Sequence, residues 1–87
     1  MRIMITNDPR RIGLRSGGEE AYILRSDADR MKAMIADARQ RRDKKIARIK
    51  EITFADDMRG RYGREVATEL LRKVWTASAD DLEEEDA

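Results

Sequence analysis

Histidine and cysteine are both absent from this 87-residue sequence, and each absence closes off chemistry. Without cysteine there is no disulfide, no thiol nucleophile and no zinc site of the usual kind. Without histidine the commonest general base near neutral pH is missing. Aromatic residues are scarce at 5%, and much of the 40% hydrophobic content is alanine, so the core is expected to be thin. A second copy would help to stabilise it, and a homodimer is expected. Long hydrophobic runs are lacking too. The segment MRIMITNDP has an apolar core of at most four residues, too short for a signal peptide or a membrane span. The expectation is a cytoplasmic protein without membrane contact.

What the chain has in quantity is charge, at 43% of residues. The net value of +1 hides strong segregation. Residues 1–18 carry +3, residues 19–38 carry −2, residues 51–64 and 65–79 balance, and residues 80–87 carry −6. The segment RQRRDKKIARIK (39–50) holds seven basic groups against Asp43. Such blocks bear on partners more than the total does.

Paired carboxylates occur at Glu19/Glu20, at Asp56/Asp57 and in the acidic C-terminal segment. Adjacent residues point to different sides of a helix, so these do not make an acid–base pair. Nothing assembles a nucleophile, a base and an orienting group. No catalytic residue, metal ligand, cofactor or small-molecule substrate is assigned, and the chain is expected to work by binding.

The first 25 residues read as short strands. RIMIT (2–6), RIGLR (11–15) and AYILR (21–25) are β-branched or alternating, separated by Asn-Asp-Pro and Ser-Gly-Gly turns. The economical arrangement is an antiparallel meander, with Gly13 weakening the middle strand. Ser26 reads as an N-cap, with Asp27 and Asp29 suited to the positive end of a helix dipole. One long helix is then expected over about 27–52, with Met31, Met34, Ile35, Ala38, Ile46, Ile49 and Ile52 on one stripe. Asp37 and Arg41 suit an i,i+4 pair. Thr53 and Asp56 suggest a second capping box. Glycines in RGRYGR (59–64) predict a break near Gly60–Gly63. A second helix follows over 64–78, completing a helical hairpin. The expected fold is thus α+β, a domain over 1–79 with a disordered acidic tail at 80–87.

The 39–50 run is the strongest functional signal. It reads either as a solvated helix face or as a surface that neutralises phosphates. Its lack of aromatics favours contact with a duplex backbone over base stacking. The expected polyanion-binding set is Arg39, Arg41, Arg42, Lys44, Lys45, Arg48 and Lys50, joined by Arg59, Arg61 and Arg64, whose glycine-rich loop suits an anion cradle. Arg42 lies within the apolar stripe. It is read as a snorkelling side chain or as a charge that meets Glu65 or Glu69 and fixes register. The apolar arc of the second helix is wider than one packing surface needs, so Val66, Leu70, Val74 and Trp75 are expected at an interface. The tail reads as a solubilising segment or as a tether that folds back on the basic run. Two functions follow. One is a binding protein whose basic helix docks on nucleic acid or an acidic, nucleic-acid-handling protein. The other is a protein–protein module, such as an inhibitor or assembly factor of the phage or mobile-element type.

Overall fold

Strict alternation builds the first strand. In the computed structural model, which describes residues 1–15, 17–40, 44–77 and 82–84, β1 (Arg2–Thr6) buries Ile3 and Ile5 and turns Met4 the other way. Asp8 ends this strand by capping a single 3-10 turn at Pro9–Arg11. Its carboxylate accepts the Arg10 N–H at 2.9 Å, and Pro9 occupies the first turn of that element. A two-residue strand, β2 (Gly13–Leu14), leads into β3 (Glu20–Leu24), where Ala21 and Ile23 are buried. After the helices, β4 (Leu82–Glu84) completes a sheet of order β2-β3-β1-β4.

The expected meander is corrected here. Only β2 and β3 pair antiparallel, whereas β1 pairs parallel with β3 along its whole length, Arg2 opposite Glu20 through Thr6 opposite Leu24. The cause lies in strand quality. A meander would place the short, glycine-weakened β2 at the centre. The observed order puts it at an edge and brings the two apolar strands together, Ile3 beside Ala21 and Ile5 beside Ile23. β4 lies parallel on the other side of β1, so Leu82–Glu84 is a strand, where the sequence pattern suggested disorder. The rest of the acidic segment lies outside the described residues.

The helices differ from expectation in number. The single helix expected over 27–52 is two, α1 (Arg25–Gln40) and α2 (Lys44–Tyr62). They run antiparallel, because Asp27 near the start of α1 pairs with Arg61 near the end of α2, Arg30 with Asp57, and Asp37 with Lys50. Asp37 thus meets Lys50 from the facing helix. One straight helix would have carried Phe54, Met58 and Tyr62 away from the sheet. Folding back buries all three. Thr53 and Asp56 lie inside α2 and start nothing, and Ser26 lies inside the first turn of α1.

The break at RGRYGR is present. α2 ends at Tyr62, Gly63 takes φ 92°, a conformation that favours glycine, and α3 (Arg64–Thr76) begins at once. It ends on Ala77, whose left-handed backbone returns its N–H to the carbonyls of Lys73 and Val74. The buried strand residues and Met31, Ile35, Phe54, Met58, Val66, Leu70 and Val74 form one core. The helices therefore cover the sheet face that bears Ile3, Ile5, Ala21 and Ile23. On the opposite face Arg11 and Arg15 lie over the Tyr22 ring, at 5.8 and 4.5 Å from its centre.

Candidate interaction surface

Helix α2 has two apolar sides, and only one is used by the core. At about 100° per residue, Phe54, Met58 and Tyr62 share a direction, and Ile49 points the opposite way. The structure bears this out. Phe54, Met58 and Tyr62 are buried, while Ile46, Ile49 and Ile52 are 52%, 63% and 55% exposed. The stripe read from the sequence therefore splits. Met31, Met34 and Ile35 turn to the core, and the three isoleucines of α2 turn to solvent. β-branched side chains hold few rotamers, so this row is a stiff surface.

Basic residues share this part of the helix. Lys45, Arg48 and Lys50 are exposed, and Lys50 reaches Asp37 at 3.4 Å. Of the remaining expected polyanion-binding residues in the run, Arg41 and Arg42 lie outside the described residues, as do the side chains of Arg39 and Lys44. The pairing read for Arg42 with Glu65 or Glu69 lies outside the described residues too, and Arg72 pairs with Glu69 at 3.6 Å.

The second basic cluster does not form an anion cradle. Arg59 pairs with Asp56 on its own helix, and Arg61 donates to both carboxylate oxygens of Asp27 at 2.6 Å. The Gly63 N–H is taken by the Arg59 carbonyl at 3.1 Å. Arg64 alone projects from the start of α3 without sharing in these contacts.

The interface expected on α3 is corrected for three of its four residues. Val66, Leu70 and Val74 are 1%, 0% and 3% exposed and belong to the core. The arc is wide because α3 packs against both other helices, and its buried residues join the one core. Trp75 stands apart at 68% exposed, its indole N–H 3.5 Å from Glu51 of α2. It therefore sits beside the N-terminal half of α2.

One buried carboxylate does more than the helix-dipole role that the sequence suggests for it. Asp27, 3% exposed, receives Arg61 and the Tyr62 hydroxyl, and that hydroxyl in turn accepts the Leu24 N–H at 2.9 Å. Burial, then the bond to Asp27, pushes the Tyr62 phenol up to about 12. The cluster ties the end of β3 and the start of α1 to the end of α2. Nothing in the sequence separates Asp27 from Asp29, since only the α2 residues facing it make the difference.

The described acids of the C-terminal segment, Glu83 and Glu84, contact Arg2 and Arg25. Arg2 bridges Glu20 at 3.2 Å and Glu83 at 2.5 Å, and Arg25 holds Glu84, with one bond of 3.0 Å, while its Nε reaches Asn7. The bond to Arg25 holds the Glu84 carboxyl below its ordinary range. Among the described residues, no group of three or more acidic side chains is placed to hold a metal ion, and no helix is long and apolar enough to cross a membrane.

The chain matches no protein-family model, no curated protein and no solved structure. Fold and surface therefore carry the functional argument alone.

Proposed function

We propose that this chain is a non-enzymatic protein-binding module whose working surface is the outward side of α2, and that its partner is an amphipathic helix with acidic flanks. The observation that carries this reading is the row Ile46, Ile49 and Ile52, each more than half exposed and standing beside exposed Lys45, Arg48 and Lys50. Three large apolar side chains at helical spacing cost solvation in water and gain it against another apolar surface. The spacing matches what a helix lying along α2 can fill. The neighbouring cations favour acidic flanks and speed encounter.

A second reading has its own support. The seven basic residues of 39–50 form the densest positive block in the chain, which suits a duplex backbone. Phosphates, however, offer an exposed apolar row no surface against which to bury itself. The two readings separate on two triple variants of the whole chain, Ile46/Ile49/Ile52→Ser and Lys45/Arg48/Lys50→Gln. For the protein module, the partner retained from the native host is lost with the serine set and weakened by the glutamine set. A short random-sequence DNA duplex then shows no binding at moderate salt. Duplex affinity that survives the serine set, vanishes with the glutamine set and falls by about 0.9 log units per contact per log unit of salt would overturn the proposal. Sedimentation of the unmodified chain tests the homodimer. A dimer abolished by the serine set would make a second copy the occupant.

A further inference from the structure

The edge of the sheet beside β1 is occupied by Leu82–Glu84, whose two acids lie in exposed ion pairs. β3 pairs with all five residues of β1, but β4 reaches only Ile3, Met4 and Ile5 among the described residues. Leu82 is half-buried against the core, and Glu83 and Glu84 are exposed. The two acids point to opposite faces of the sheet, as successive strand residues must. Each meets an arginine there, Glu83 with Arg2 and Glu84 with Arg25. Both arginines are themselves held, Arg2 by Glu20 and Arg25 by Asn7, so they stay in place when the acids leave. The edge thus reads three consecutive positions, apolar, acidic and acidic, in parallel register.

We infer that the β1 edge is a peptide-binding site, which takes an extended acidic strand of another protein with the pattern apolar-acid-acid and which Leu82–Glu84 fills in cis. Main-chain bonds along β1 supply affinity, and Arg2 and Arg25 supply selection. Ion pairs this exposed hold the cis segment weakly. Its advantage is its tether, which gives an effective concentration of about millimolar. This site is separate from the outward side of α2 and does not depend on the function proposed for that surface.

The test uses the full chain carrying Glu83→Lys and Glu84→Lys, which ejects its own segment, and a synthetic peptide of residues 80–87 as probe. Amide shifts that titrate at Ile3–Ile5 and Arg25 are expected. Adding Arg2→Glu and Arg25→Glu to the chain should weaken the peptide at least tenfold, and a peptide with lysines at positions 83 and 84 should recover that loss. A folded variant whose β1 amides do not move with millimolar peptide overturns the inference. Hydrogen exchange on the unmodified chain tests it without any substitution. The β1 amides facing β4 should exchange at least tenfold faster than those facing β3, and equal protection overturns it. A dimer of the unmodified chain that dissociates with the lysine pair would also overturn it, since the occupant would then be a second copy's segment.

Discussion

Helices α2 and α3 carry comparable apolar content and use it in opposite ways. α3 spends its arc on the core, where Val66, Ala67, Leu70 and Val74 are all but closed to solvent, and leaves one large residue outside, Trp75. α2 buries Phe54, Ala55, Met58 and Tyr62 and still presents three isoleucines to water. The difference comes from position in the helical layer. α3 contacts the other helices over a broad angle. The N-terminal half of α2 packs on α1 and α3 along one side, and along the other Ile46, Ile49 and Ile52 are more than half exposed. An apolar arc in a sequence therefore reports burial only after its neighbours are known.

Substitutions can break this contrast. The largest effect is expected at Leu70, where truncation to alanine empties a closed site and should cost about 2–5 kcal/mol in denaturant unfolding. Ile49→Ala, equally apolar, should change stability by less than about 0.5 kcal/mol. A similar loss at both would show that α2's outward row is covered in solution. Next comes Asp27→Ala, which strands the Arg61 and Tyr62 donors. A broken buried ion pair costs about 3–5 kcal/mol, and partly exposed Arg61 (42% for its side chain) should keep this loss at or below the lower end. Its visible sign would be loosening of α1 from the end of α2, read by hydrogen exchange.

Smaller effects sharpen the comparison. Deleting 80–87 removes half-buried Leu82 and two exposed ion pairs, so the chain should stay folded and lose about 1 kcal/mol. The Glu84 part of this has a pH sign. Its carboxyl is depressed in the folded chain, so its contribution is whole above the ordinary glutamate range and is lost as pH falls through the folded value. Acid should loosen β4 before the helices unfold. Tyr62 acts at the other extreme. Its raised phenol favours the protonated form, so that contribution is whole below about pH 10, the unfolded value, and disappears as pH rises towards about 12. Tyr62→Phe should abolish the highest-pH tyrosinate step in ultraviolet absorbance.

Local signals were legible and pairing was not. The Asp8–Pro9 turn, the Gly63 break and the span of α3 follow from backbone preferences of a few residues, and the α+β order follows from them. Which strands pair, and in which direction, depends on a competition between β2 and β1 for the centre that no local pattern decides. The long helix was overextended because 39–43 contains no helix breaker, so periodicity ran through it. The basic run at 39–50 was plain in the sequence. The isoleucines within it read as one apolar stripe with Met31, Met34 and Ile35, since a hairpin that turns them outward leaves no local mark.

The central place of β1 fixes an order of assembly. Ile3 meets Ala21 early in the chain, but its other neighbour, Leu82, follows all three helices. Contacts this distant in sequence form late, because loop closure must come first. During synthesis one side of β1 therefore waits with its backbone groups unpaired, next to Ile3 and Ile5, while the helices gather. An open apolar edge is where nascent chains join wrongly to one another. Arg2 at its rim supplies a charge that discourages such joining, and the residues that finally close the edge are made only after all three helices.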